Sequence, residues 1–291
     1  MLMSSNSTIV SPGSQTIGSS GSFFGFGGKK PHYKYDYYYD SSVVSTTSQA
    51  TVVILFVVGT SMTCTAYSDL AGNCVSGQKT VWVTVDNNPG NMVKLDAGLT
   101  AEAFNDIKAN ITERLGDTAS SSTAIFVGGH SAGGYSAIAA MQENGGDYNF
   151  KPIGCVAADP WNKTKLPTLK IECQTFAMGF TVETCFVTPV DAGLAAYNIT
   201  SNQKDRVMMQ MINPRDRGNQ ITHCIFATDG CTACPAHQAG DWTRPVMGKF
   251  CILFVDSVVK GKRATKAQYV DATGDNSSLV NVFFGDEVAT V

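Results

Sequence analysis

Residues 123–137 read TAIFVGGHSAGGYSA, and their reading decides the fold. Thr123 to Val127 is a short β-branched and apolar run, as a buried strand requires. Gly133 to Gln142 is rich in small residues and helical in character. Between them stands Gly129-His130-Ser131-Ala132-Gly133, a G-x-S-x-G pattern at a strand-to-helix junction. A chain that reverses this sharply holds its central residue in a strained conformation. Side chains two positions before and after that residue would collide with the flanking strand and helix, hence the glycines. The expected result is a Ser131 hydroxyl projecting above a sheet. It would lie near a helix N-terminus, whose free N–H groups favour a developing negative charge.

Outward from this bend, strand-like and helix-like segments alternate. Thr51 to Val58 (TVVILFVV) is continuously apolar, as expected of a strand buried on both faces. Thr80 to Val85, Ile153 to Ala158, Leu169 to Cys173 and Val207 to Ile212 read as further strands. Ala66 to Cys74 reads as a short helix. Thr100 to Leu115 reads as a longer one, with Phe104, Ile107, Ile111 and Leu115 at helical spacing and Gly116 as its stop. Lys249 to Val259 reads as a closing amphipathic helix. Strands separated by helices predict an α/β domain with a mostly parallel central sheet and helices on both faces. Residues 1–40 are expected to form a flexible leader and an edge segment, and 41–291 the domain. Within the first part, Tyr33, Tyr35, Tyr37, Tyr38 and Tyr39 read as a half-buried first strand rather than a stacking platform for a ligand. Phe176 to Thr200, poorly periodic, reads as a partial lid or pocket wall, and Met208, Met209 and Met211 as sheet packing.

Composition excludes several classes. The 291 residues carry a net charge of −3, with 15% charged and 43% hydrophobic residues. That balance argues against a nucleic-acid binder and against a disordered chain. No apolar run reaches the roughly 20 residues that span a bilayer. Nine Cys, an odd number, and N-x-S/T sequons at Asn6, Asn110, Asn162, Asn198 and Asn276 lean toward an oxidising, secretory-type compartment, or a plastid, over the cytosol. Met1 to Gly21 lacks the apolar stretch of a signal peptide. Cys231-Thr232-Ala233-Cys234, with Cys224 and His237 nearby, reads as disulfide bracing of a loop. A zinc site would call for a second such pair.

The segment around Ser131 resembles the nucleophile elbow of the α/β-hydrolase fold, and the strand–helix order over roughly 41–260 extends that resemblance. The nearest branch is the chlorophyllase and platelet-activating-factor-acetylhydrolase-like group, which neighbours the cutinase-like polyester hydrolases. This resemblance implies a Ser–acid–His order along the chain. Of the four His, His32 precedes the elbow and His130 lies within it. His223, in His223-Cys224-Ile225-Phe226, is preferred to His237 because it is similar to the family's segment after the last strand. For the acid, Asp159 in Ala158-Asp159-Pro160-Trp161 is favoured over Asp191. The oxyanion donors implied are the backbone N–H groups of Ala132 and Thr60, the latter in Val58-Gly59-Thr60-Ser61-Met62, a turn similar to the family's His-Gly-x with Val58 in place of His. Tyr67-Ser68-Asp69-Leu70 is similar to a recurring helix of the same relatives.

The expectation is a serine hydrolase that cleaves a carboxylic ester through an acyl-enzyme, without cofactor or metal. Its substrate would be a small-molecule or lipid-like ester. Chlorophyllases carry Arg after the nucleophile. Ala132 in that place departs from a chlorophyll-type substrate while leaving the chemistry intact. A non-catalytic scaffold for ligand or partner binding, and an acyltransferase, are the alternatives.

Overall fold

The structure, a computed structural model, describes residues 9–10, 15–17, 33–86, 97–142, 148–161, 166–181, 192–212, 221–228 and 242–287. Among the described residues ten strands form one sheet: β1 (Ile9–Val10), β2 (Gln15–Ile17), β3 (Tyr33–Asp40), β4 (Val52–Val57), β5 (Thr80–Asp86), β6 (Ala124–His130), β7 (Gly154–Ala158), β8 (Gln174–Phe180), β9 (Arg206–Met211) and β10 (Val280–Phe284). Seven helices accompany them among the described residues: α1 (Ser68–Val75), α2 (Ala97–Ala109), α3 (Ile111–Leu115), α4 (Ser131–Ala139), α5 (Ala192–Asn198), α6 (Thr243–Lys260) and α7 (Lys266–Thr273). The sheet order is β1-β3-β5-β4-β6-β7-β8-β9-β10, with β2 also on β3. From β5 to β9 every neighbouring pair is parallel, while β3 and β10 join antiparallel at the two flanks. The fold is α/β and α/β-hydrolase-like, as the sequence led us to expect.

The period-2 geometry of β4 shows why the two faces divide cleanly. Ile54 sits between Trp82 and Phe126, and Leu55 between Val83 and Val127. Ile54, Trp82 and Phe126 belong to a core with α1, α6 and α7. Leu55, Val83 and Val127 belong to one with α2, α3 and α4. On the latter face, α5 packs over Cys155, Ala157 and Ala177 in a smaller third cluster. A strand covered on both faces cannot tolerate polar alternation, so VVILFV is apolar throughout. Among the described residues no helix is long and apolar enough to cross a membrane.

Several elements depart from expectation. The strand expected at Leu169 to Cys173 lies instead at Gln174–Phe180, β8. The earlier stretch carries Lys170 and Glu172, which the slot between β7 and β9 cannot bury; Ile171 makes only one bridge, to Thr200. Phe176, Met178 and Phe180 are therefore buried in this strand rather than in a lid. The single helix expected over Thr100 to Leu115 is two, α2 and α3. Asn110 divides them, and its side-chain amide donates to the Asp106 carbonyl at 3.1 Å and carboxylate at 2.9 Å. Asn competes for backbone partners in this way. Tyr33–Asp40 is a strand but not the outermost one, because β1 and β2 pair along its outer side. It is also more than half buried: Tyr33, Tyr35 and Tyr37 lie in the α2 core, and Tyr38 in the α6 core. Beyond the helix expected to close the chain lie α7 and β10.

Candidate active site

β6 ends at His130 and α4 begins at Ser131 with no loop between them. Ser131 lies in the left-handed region, at φ 56°. For a residue with a Cβ this is strained. Close packing imposes it. A Cβ on Gly129 would sit 2.7 Å from the Val57 carbonyl oxygen and from the Gly133 backbone, and one on Gly133 would also meet Val57 O at 2.7 Å. Only a chain without those side chains can bring α4 this near β4 and β6. Ser131 is half-buried, at the carboxyl end of the parallel strands, and its hydroxyl has no hydrogen-bond partner among the described residues.

Asp159 directly follows β7, one strand over. It too has positive φ, 42°, while its N–H still reaches Met178 O of β8 at 2.9 Å. Asp tolerates this region better than most residues. Two residues on, the Trp161 N–H donates to the Ser131 carbonyl at 2.8 Å, so the turn after β7 is tied to the elbow. His223 opens a short 3-10 turn, His223–Phe226. Its Nδ1 lies 2.6 Å from Asp159 Oδ2, and both residues are almost wholly buried. A carboxylate only accepts, so Nδ1 carries the hydrogen of this bond. The second carboxylate oxygen, Oδ1, has no partner among the described residues.

The turn bearing His223 has no sheet ladder, and three other elements supply its bonds. Arg244 of α6 donates to Ile225 O at 3.1 Å and Ala227 O at 2.7 Å. The Thr228 N–H reaches Ala66 O at 2.5 Å. His130 Nε2 reaches the carbonyl of His223 itself at 3.0 Å. The two imidazoles lie 4.3 Å apart, centroid to centroid. Burial, with the His223 ring alongside, holds His130 well below the usual histidine range, so it is neutral at pH 7.

Of the expected donors, Ala132 is in the first turn of α4, where N–H groups have no helical partner. Thr60 is exposed in the turn after β4. That turn lies against the elbow: a Cβ on Gly59 would be 3.4 Å from the Ser131 Cβ. The structure thus brings together Asp159 and His223, and sets Ser131 beside the Gly59 turn. His32, Asp191, Cys231, Cys234 and His237 lie outside the described residues. Sequence reasoning missed two residues of this site. His130 was read only as the variable position of the elbow, and Tyr67 only as part of a helix. No local pattern marks either, since their partners are distant in the chain. Among the described residues no group of His, Cys, Asp and Glu is arranged to hold a metal ion. No protein-family model and no curated protein matches this chain.

Proposed function

We propose that the protein is a serine hydrolase acting on carboxylic esters, with Ser131 as nucleophile, His223 as general base and Asp159 as the acid that orients it. One observation carries this reading: a buried Asp159–His223 pair at 2.6 Å, at the same end of the sheet as a serine held in left-handed geometry. A hydroxyl is a poor nucleophile until a base takes its proton. In this reading His223 Nε2 takes that proton, with Asp159 holding the hydrogen on Nδ1. As Ser131 Oγ attacks the ester carbonyl, its proton passes to Nε2, and Asp159 stabilises the resulting imidazolium. The carbonyl oxygen becomes an oxyanion received by the N–H groups of Ala132 and Thr60. His223 then protonates the leaving alcohol, leaving an acyl-Ser131. Water, deprotonated by His223, attacks that ester, and collapse frees the acid and Ser131. The Ser–His hydrogen bond of such sites is often long until substrate binds. Disulfide bracing beside His223 belongs to the same proposal, with Cys224 the next residue in the chain.

A fluorophosphonate probe should label the protein at Ser131, and a short-chain p-nitrophenyl ester should be turned over. Ser131→Ala should lose both. Labelling or turnover that persists in Ser131→Ala sinks the assignment, and a wild type that neither labels nor turns over favours a binding scaffold. Methanolysis products formed in preference to free acid would make it an acyltransferase.

A further inference from the structure

Between the turn that carries Thr60 and the backbone of His223 runs a buried chain of three hydrogen bonds. The Gly59 N–H donates to Tyr67 Oη at 2.8 Å, Tyr67 Oη meets His130 Nδ1 at 2.7 Å, and His130 Nε2 meets His223 O at 3.0 Å. Tyr67 and His130 are 0% and 1% exposed, so water cannot substitute for a lost partner without entering the core. The direction of every bond follows from chemistry. A carbonyl only accepts, so His130 Nε2 carries the hydrogen. A neutral imidazole then offers Nδ1 as acceptor, so the Tyr67 hydroxyl donates to it. The hydroxyl oxygen is left to accept from Gly59. Burial holds the Tyr67 hydroxyl far above the ordinary phenol range, so its proton stays available.

We infer that Tyr67 and His130 are positioning residues that tie the oxyanion turn, the nucleophile elbow and the His223 loop into one unit. The inference rests on the serine-hydrolase reading above. The turn is short and closes on itself, with Met62 N–H on Gly59 O at 3.1 Å and Ser61 at φ 62°. Tyr67 anchors this turn through the Gly59 N–H. It also packs directly on the chain of bonds: a Cβ on Gly59 would lie 2.9 Å from His130 Nδ1 and 3.2 Å from Tyr67 Oη. At the other end, His130 holds the main chain of the same residue whose side chain Asp159 holds. The backbone and the ring of His223 are thereby each held by a separate partner. An oxyanion donor and a general base matter most in the transition state, where misplacement by a fraction of an ångström is costly. A merely structural pair would lower stability and leave turnover by the folded fraction unchanged.

Three substitutions separate the possibilities. Tyr67→Phe removes one hydroxyl and keeps the ring on Phe56. His130→Asn keeps an acceptor near the Nδ1 position and loses the donor to His223 O. His130→Gln keeps a donor near the Nε2 position and loses the acceptor for Tyr67. With a p-nitrophenyl ester, kcat of each folded variant should fall by about 10- to 100-fold with KM within about threefold. Affinity for an alkyl boronic acid, which forms a tetrahedral adduct on serine, should fall in parallel, and affinity for the product alcohol should not. A folded Tyr67→Phe with kcat within about twofold of wild type overturns the inference, even while Ser131→Ala upholds the hydrolase reading. Side-chain 15N spectra of the wild type give a test independent of variant folding and of activity. They should show His130 as the Nε2–H tautomer, and an Nδ1–H tautomer would refute the chain of bonds. A wild type that neither labels nor turns over ester removes the hydrolase reading itself, and this inference with it.

Discussion

At the scale of single residues, the site depends on which nitrogen of each histidine carries hydrogen. Asp159→Asn tests this for His223. The amide is nearly isosteric, but its NH2 can donate to Nδ1, which favours the wrong tautomer. A kcat loss of about 10³- to 10⁴-fold with the ester is expected, with little change in melting temperature. A variant retaining near-full kcat would remove Asp159 from the mechanism. His130 supports a second test, in stability. Its pKa is depressed by burial beside His223, whereas an unfolded His titrates near 6.5. Below about pH 6.5, therefore, the unfolded chain binds a proton that the native state refuses. The stabilisation is complete above that pH and is lost as pH falls toward the depressed native value. Urea unfolding measured from pH 8 to 5.5 should lose stability toward acid. His130→Gln should flatten that slope by up to about 1.4 kcal/mol per pH unit. Parallel profiles for the two proteins would contradict the depressed value.

At the scale of elements, the elbow is a packing problem before it is a chemical one. Gly133 of α4 faces the carbonyls of Val57 and Val58. Gly133→Ala should cost about 2–3 kcal/mol, as overpacking against backbone does, visible as a lower urea midpoint. It should also reduce fluorophosphonate labelling, because α4 must move away from the end of β4 and take Ser131 with it. An alanine tolerated with no loss would show that the turn has slack the contacts do not indicate. α7 offers a cleaner measurement, since it carries none of the site's residues. Thr265 and Gln268 form a reciprocal capping box at its start. Thr265→Ala should cost about 1 kcal/mol and leave ester turnover unchanged. At the α1–α6 crossing, Gly248 meets the backbone and Cβ of Asn73, and this is what lets α6 bring Arg244 to the carbonyls of the His223 turn.

At the scale of the whole molecule, β10 covers the outer edge of β9, an edge that would otherwise present free backbone groups. It is secured beyond its ladder. Arg206 Nε donates to Gly285 O at 2.8 Å, and the Tyr197 hydroxyl reaches Gly285 O at 2.9 Å. Deleting residues 265–291 should uncover β9 and Phe250, giving aggregates by size-exclusion chromatography where the full chain gives none. A well-behaved truncated monomer would show the edge to be harmless. The sheet's apolar runs, the two-face division of β4 and the glycine-framed bend at Ser131 were all legible in the chain, because near neighbours impose them. Asp159 and His223 were legible as candidates only through the resemblance of their segments to the α/β-hydrolase pattern. Their meeting was not, since 64 positions separate them and only the order of parallel strands brings the ends of β7 and the post-β9 turn together. The true place of β8 was hidden for a related reason: two adjacent stretches fit a strand locally, and burial between β7 and β9 chose the one without charges. Tyr67 and His130 lie wholly on the tertiary side. A tyrosine in a helix and a histidine in a bend carry no mark of partnership until folding removes water from between them and leaves each other as the available partner.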